Sequence, residues 1–267
     1  MTRLNGIRIH SACMALALVI VPVAAQEAAP PDQSTPPAAT EQTVSDEARA
    51  VLDRMTRYLR GLLTFSVETQ ASRDEVVALG YKLQNNERSV IVVQRPDKLR
   101  ADISGDVRNR TIVYDGAQLT MYSPDDAAFV RTDAPGTLAG LIGLLLDIGV
   151  EMPLIDVLYQ GTAGTLTENV RGGILVGEST IEGVPSDHLA FRQANVDWQL
   201  WVEKGVRPLP RKILITTRYE VGEPQYQAVL HWNLKPRIHG STFAFDPPEG
   251  VTEIPLAIAP VGAGIAP

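Results

Sequence analysis

The residues best suited to chemistry stand at Ser186-Asp187-His188, where a hydroxyl, a carboxylate and an imidazole are consecutive. A hydrolase needs such groups to converge on one substrate atom. The surrounding SDHLAFR reads as a strand, in which adjacent side chains point to opposite faces, so Asp187 and His188 cannot act together. Any hydrolase reading therefore rests on His188 alone. The other histidines, His10, His231 and His239, have no partner at H-x-x-x-H spacing, and the one cysteine, Cys13, lies in an apolar run near the N-terminus. Asp125-Asp126 follows Pro124 and reads as a solvated turn. Gly172-Gly173 reads as a turn that starts a strand, and no nucleophile elbow, P-loop or dinucleotide fingerprint is present. Asn109-Arg110-Thr111 has the form of a glycosylation acceptor. Trp198, Trp201 and Trp232 suit a sugar-stacking surface, an acyl pocket or a core. The expectation is a non-catalytic protein with no cofactor and no metal.

The elements around these residues are mostly strands. Arg3 and Arg8, an apolar run from Ala12 to Val23 and the small residues Val23-Ala24-Ala25 read as a signal peptide over 1–25, which places the chain in the periplasm. Loss of Arg3 and Arg8 with that signal takes the formal charge from -7 to -9, a poor balance for nucleic acid. Residues 26–44 are rich in Pro, Ala and Gln and read as a disordered tether. Ser45 is an N-cap for a helix with Val51, Leu52, Met55, Tyr58, Leu59 and Leu62 on one face, ending near Gly61.

From Leu63 the period changes to two. LTFSVETQ, ALGYKLQ and RSVIVVQ read as strands separated by Arg73-Asp74-Glu75 and Asn85-Asn86. Three more follow between Gln94 and Pro124: Leu99, Ala101 and Ile103 alternate with polar residues, as do Leu119 and Met121, and Asp115-Gly116 supplies a hairpin turn. The segment 136–160 interrupts this meander with Leu138, Leu141, Ile142, Leu144, Leu145, Leu146 and Ile148 crowding nearly every face of a helix, and a second short helix follows Pro153. Two readings stand for it: a helix pair packed on the sheet, or a movable lid whose apolar side faces a ligand. Strands resume as GGILVGEST, SDHLAFR, VDWQLWVE, KILITTRY and YQAVLHWNL, with STFAFDPP last. Trp198, Leu200 and Val202 share one face, as do Ile213 and Ile215, and Phe243 and Phe245. The stretch 253–267 reads as a flexible tail.

Three stretches carry a family resemblance: Arg95-Pro96-Asp97-Lys98-Leu99-Arg100, the run Ile112 to Leu119 continued through Tyr122-Ser123-Pro124, and Thr242-Phe243-Ala244-Phe245-Asp246-Pro247-Pro248-Glu249-Gly250-Val251. In these the sequence resembles the LolA-like superfamily of outer-membrane lipoprotein carriers. The segments 197–202 and 207–212 resemble a branch of uncharacterised exported bacterial proteins with that fold. The resemblance implies an α+β, mostly antiparallel domain over 45–252: an unclosed half-barrel sheet with an N-terminal helix and a helical lid over its apolar concave face. It implies that Arg95 helps to hold the lid closed and that Leu99 lines the cavity. Thr120 stands where the family carries an aromatic residue.

The expected activity is binding. An acyl chain, a lipoprotein or another apolar ligand would lie against Leu99, Ala101, Ile103, Leu119, Met121, Leu141, Leu145, Ile148, Trp198, Leu200, Ile213 and Phe243, with Arg95 as latch. Transient membrane contact fits that role. The alternative is an envelope sensor or protein-interaction module whose concavity is filled by its own side chains and whose partner is another envelope protein.

Overall fold

The computed structural model describes residues 44–150, 154, 166 and 169–256, all within the compact unit Glu41–Pro267. The segment read as signal peptide, the tether up to 43, the second helix expected after Pro153 and the tail from 257 lie outside the described residues.

Helix α1 spans Asp46–Arg60, with the Ser45 hydroxyl accepting from the Ala48 N–H at 3.2 Å and with Asp46 and Glu47 in the first turn, where carboxylates favour the helix dipole. Its buried side is Ala48, Val51, Leu52, Met55 and Leu59. Two antiparallel meanders follow. The first is β1 (Thr64–Val76), β2 (Lys82–Gln94), β3 (Lys98–Gly105), β4 (Arg110–Tyr114), β5 (Gln118–Ser123) and β6 (Ala128–Asp133). Helix α2 (Leu138–Asp147) intervenes, and the second meander is β7 (Gly172–Ile181), β8 (Val184–Arg192), β9 (Val196–Glu203), β10 (Pro210–Thr217) and β11 (Gln225–Asn233). A two-residue β12 (Thr252–Glu253) closes the set, in a sheet ordered β12-β6-β5-β4-β3-β2-β1-β11-β10-β9-β8-β7.

The sheet is unclosed, with β12 and β7 at its ends. The two meanders join where β1 pairs antiparallel with β11, from Ser66 opposite Asn233 to Arg73 opposite Tyr226. Register carries one set of side chains along a single face: Leu119, Tyr114, Leu99, Val93 and Phe65 lie in one cross-strand row. Ala71, Ala228, Ile213, Leu200 and Leu189 form another. These residues, the buried stripe of α1 and the buried residues of α2 make one hydrophobic cluster. The architecture is the mostly antiparallel, open sheet with helices on its apolar face that the resemblance implied.

Three local expectations change. Arg73-Asp74-Glu75 and Asn85-Asn86 are not turns: they belong to β1 and β2, which are 13 residues each and pair throughout. Their polarity reflects the far end of a long hairpin, where Asn85 opposes Arg73 and its amide donates to Glu75 at 3.0 Å. The turn itself is Val77–Tyr81, around a 3-10 turn at Ala78–Gly80, so ALGYKLQ is turn followed by strand. STFAFDPP is not a strand either, because two prolines without N–H groups break any ladder there. It crosses the outer face of the first meander, where Phe245 packs on Tyr122 and Phe129 at ring separations of 5.3 and 5.4 Å. The chain then pairs with the edge of β6 through β12. Helix α2 is less evenly apolar than its composition suggests: Leu138, Leu141, Ile142 and Leu145 form an i, i+3, i+4, i+7 stripe toward the core, while Leu146 is 62% exposed.

Pairing extends to the residue on either side of 45–252. Val44 is buried and bridges to Gly173, and Glu253 pairs with Phe129.

Candidate functional site

Two anchors seat α2. The Leu138 N–H donates to the Pro96 carbonyl at 3.0 Å, and the carbonyl of Pro135, just before the helix, accepts from the buried Tyr114 hydroxyl. The Thr137 hydroxyl caps the first turn by accepting from the Gly140 N–H at 3.1 Å. At the opposite end of the sheet α1 is tied to the second meander: the Ser45 N–H donates to Gly173 O at 2.9 Å, and the Arg54 guanidinium donates to Asp187 at 3.2 Å.

Between α2 and the first meander lies a cavity of about 670 Å³, inside the roughly 300–1,000 Å³ typical of small-ligand sites. Its apolar wall is Ile91 and Val93 of β2, Leu99 and Ile103 of β3 and Ile112 of β4, faced by Leu138, Leu141 and Ile142 of α2 with Val150 and Leu154 beyond. Ser89 interrupts that wall, but its hydroxyl is matched with Thr69 Oγ1 at 2.6 Å in a buried pair. Toward the far end of the β1–β2 hairpin the lining turns polar, with Arg73, Glu87, Arg108, Arg110 and Tyr226.

The electrostatics of that end follow from burial. Desolvation lowers the Arg110 guanidinium below its ordinary value, with Glu87 opposing and Arg108 and Arg73 adding to the effect. Its Nε is buried and has no hydrogen-bond partner. Burial likewise pushes the Tyr226 phenol far up, so it is a neutral hydroxyl at any physiological pH. The Arg73 guanidinium sits 5.7 Å from the centre of the Tyr226 ring.

Of the residues expected to line a ligand space, Leu99, Ile103 and Leu141 line this cavity. Ala101, Leu119 and Leu145 are buried in the same hydrophobic cluster, and Met121 and Ile148 pack against it. Trp198, Leu200 and Ile213 belong to the second meander and are packed into the core there, Trp198 stacked on Phe191 at 4.0 Å. Phe243 stands apart: it is buried but outside the cluster, in the segment that crosses the outer face. Its pairing with Phe245 was read from a strand that does not form. The Arg95 Nε donates to Leu62 O, past the end of α1, at 2.9 Å, and Pro96 is the residue that hydrogen-bonds α2.

Trp201 and His188 stack at 4.2 Å on the outer face, while Asp187 faces Arg54 on the inner one, so the hydrolase-like fragment is split by the sheet. Asp125, in the β5–β6 turn, ties it to the β3–β4 connection by accepting from the Asn109 backbone at 2.6 Å and side chain at 2.9 Å. Among the described residues no three His, Cys, Asp or Glu groups converge as a metal site requires.

The polar end escaped the sequence reading. Its signal was the phase of the strands: Arg73 stands two residues on from Ala71, and Arg110 two before Ile112, so both continue the inward-facing row. A charged residue in a core phase marks either a strand end or a site.

Residues 48–257 match the model of the family DUF2092, described as a predicted periplasmic protein. No curated protein matches the sequence. Among solved structures, the fold is similar to that of an uncharacterized conserved protein from Thermus thermophilus, at 11% identity and a TM-score of 0.47, covering 78% of this chain and 99% of that one. It is similar also to Mycobacterium tuberculosis lipoprotein LppX, at 14% identity and a TM-score of 0.46, covering 73% of this chain and 100% of that one. A LolA superfamily protein from Nitrosomonas europaea aligns at 10% identity and a TM-score of 0.37, over 72% of this chain and 94% of that one.

Proposed function

We propose, for a chain that belongs to the DUF2092 family of predicted periplasmic proteins, that it is a non-catalytic carrier holding an acyl chain or similar apolar ligand between α2 and the first meander. One observation carries this reading: a cavity of about 670 Å³ walled by Ile91, Val93, Leu99, Ile103, Leu141 and Ile142, where a protein of this class would otherwise have solid core. Burial of a tail supplies about 0.8 kcal/mol per methylene, so ten buried methylenes amount to roughly 8 kcal/mol, the range of a micromolar complex. No polar motif is then required for affinity.

The test is organic extraction of the protein purified from its periplasm, read by mass spectrometry, together with titration of a fluorescent fatty acid. A stoichiometric lipid and saturable binding are expected. Ile103→Trp, which places an indole in the cavity, should abolish both while leaving the melting temperature within a few degrees. Extracts without lipid, combined with no probe binding by the wild type, refute the reading.

A second reading, a protein-interaction module, draws on strand β7. It ends the sheet, with Ile174 57% and Val176 51% exposed, and an edge of that kind accepts an added strand. A partner cross-linked through β7 to a lipid-free protein would favour it.

A further inference from the structure

We infer that the turns around the mouth of the cavity dock on a lipid bilayer, so that a tail passes between the membrane and the apolar wall without crossing bulk water. This rests on the cavity being the ligand site.

The mouth is the polar end of the cavity, where Arg73, Arg108 and Arg110 stand. Glu75, Asp106, Val107 and Glu220 are exposed there, while Ile91, Leu99, Leu138 and Leu141 deeper in are buried. Three turns are tied together at that end. The Asp106 N–H of the β3–β4 connection donates to Asn86 O of β2 at 3.0 Å, and the Gln225 N–H that follows the β10–β11 turn donates to Asp74 of β1 at 3.1 Å. A Cβ on Gly222 of that turn would lie 3.3 Å from Val76 Cγ2. These turns carry large apolar side chains into solvent: Leu79, Tyr81 and Leu83 around the β1–β2 turn, Val107 in the β3–β4 connection, and Tyr219 and Val221 in the β10–β11 turn. Exposed apolar groups gathered at one place mark an interaction site, whereas single ones need no account. At the opposite end of β10, Val206 is comparably exposed but is alone in its turn.

Leu79 is the sharpest case. Its φ of 68° lies in the left-handed region, which disfavours leucine and suits glycine, and at 95% exposure its side chain gains nothing from burial in return. Local geometry and solvation both oppose leucine there in the free protein, and burial outside the chain accounts for it. A bilayer fits that role better than a protein surface. The side chains sit at the tips of separate turns that ring an opening, not on one flat face. Two of the six are tyrosines, whose rings and hydroxyls suit the headgroup level. Charge around the mouth is close to balance, with Arg73, Lys82, Arg108, Arg110 and Arg218 against Asp74, Glu75, Glu87, Asp106, Glu220 and Glu223. That balance offers little attraction to a polyion or an anionic leaflet, so attachment is apolar.

The experiment is flotation of the protein purified from its periplasm with vesicles of phosphatidylcholine alone or mixed with phosphatidylglycerol, at low and high salt. The wild type should float with both, with no gain from the anionic lipid and little change with salt. Leu79→Gly combined with Val221→Asp should weaken partitioning at least about tenfold. Val206→Asp, of like exposure at the opposite end, should leave it unchanged. Glycine suits the φ of residue 79 and both altered sites are exposed, so the double variant should keep the wild-type melting temperature. It should also bind a fluorescent fatty acid added from solution as the wild type does, which separates docking from folding and from the cavity. Wild type that does not float, flotation that survives the double variant, or flotation that needs anionic lipid and collapses with salt overturns the docking, while the cavity reading stands on the fatty-acid titration. Self-association that the double variant abolishes, with no flotation, overturns it by giving the rim to a second copy. Loss of flotation and of fatty-acid binding together in the double variant overturns it by assigning these turns to the ligand site itself. Absence of fatty-acid binding by the wild type removes the cavity reading and, with it, passage of a tail from membrane to cavity.

Discussion

Two glycines of α2, three residues apart, should respond in opposite directions to the same substitution. A Cβ on Gly140 would stand 2.3 Å from Pro135 Cβ and 3.0 Å from Pro135 Cγ, and the proline ring cannot turn aside. Pro135 is itself held, since its carbonyl accepts from the Tyr114 hydroxyl and from the Thr137 N–H. Gly140→Ala must therefore push the first turn of α2 away from the chain that leads into it. Overpacking of this kind costs roughly 1–3 kcal/mol, and a weakened Tyr114 hydrogen bond adds about 1 kcal/mol. The gain of alanine over glycine in a helix returns about 1 kcal/mol. The net is a loss of about 2 kcal/mol, or a fall in Tm of roughly 4–8 °C for a domain of this size. Gly143 lies at the exposed middle of the same helix, and a Cβ added there would meet nothing within 4 Å. Gly143→Ala keeps only the propensity gain of up to about 1 kcal/mol, so Tm should rise by roughly 2–4 °C. Thermal unfolding by circular dichroism, with both variants and the wild type in one buffer, reads the pair. Shifts of the same sign, or a Gly140→Ala protein as stable as wild type, would refute the seating of α2 on Pro135.

Ser89→Ala strips the buried Thr69 hydroxyl of its partner and should cost about 1–3 kcal/mol in urea unfolding, whereas adding Thr69→Val should cost less than the sum of the two. Glu203 and Arg211 form an ion pair with side chains only 13% and 18% exposed. Glu203→Ala, which leaves the guanidinium uncompensated, should lose about 3 kcal/mol with an unchanged denaturant slope. At Asp115 burial alone would raise the carboxyl, but the N–H groups of Gln118 and Ala117 and the nearby Lys98 outweigh it and hold the group below the usual range. A carboxyl depressed in the folded state stabilises above its unfolded value, about 3.9, and stops doing so as pH falls through its folded value. The stability difference between wild type and Asp115→Asn should thus be full at neutral pH and close below about pH 4, as urea midpoints across that range will show.

Much of the fold was legible because short-range signals agreed with the long-range result. Ser45, the acidic first turn and the α1 stripe named that helix, and alternation of Leu99, Ala101 and Ile103 named the face that reached the cavity. What misled was polarity read as punctuation. Asn85-Asn86 satisfies the rule for a turn, yet a strand that outruns the core carries such residues too, and only its cross-strand partners distinguish the two cases. The division of labour between the helices was also invisible. Trp198, Leu200 and Ile213 have the same alternation as Leu99 and Ile103, and what separates them is which helix sits above, a fact of packing that no local pattern encodes. Phe243 and Phe245 alternate as strand residues would, but the chain after them runs into Pro247-Pro248 and is held by rings instead of a ladder.

The seam between β1 and β11 has a kinetic consequence. Its last step pairs Arg73 with Tyr226, two of the residues at the arginine end of the cavity. A chain made from its N-terminus forward can complete the first meander early, since each of those strands pairs with its neighbour in sequence. It cannot assemble that end of the cavity until almost the whole domain has appeared and the first strand has found the eleventh, a contact of high sequence separation and therefore slow closure. Because that pairing forms late, an interaction that bridges Arg73 and Tyr226 across the seam would slow unfolding more than it speeds folding.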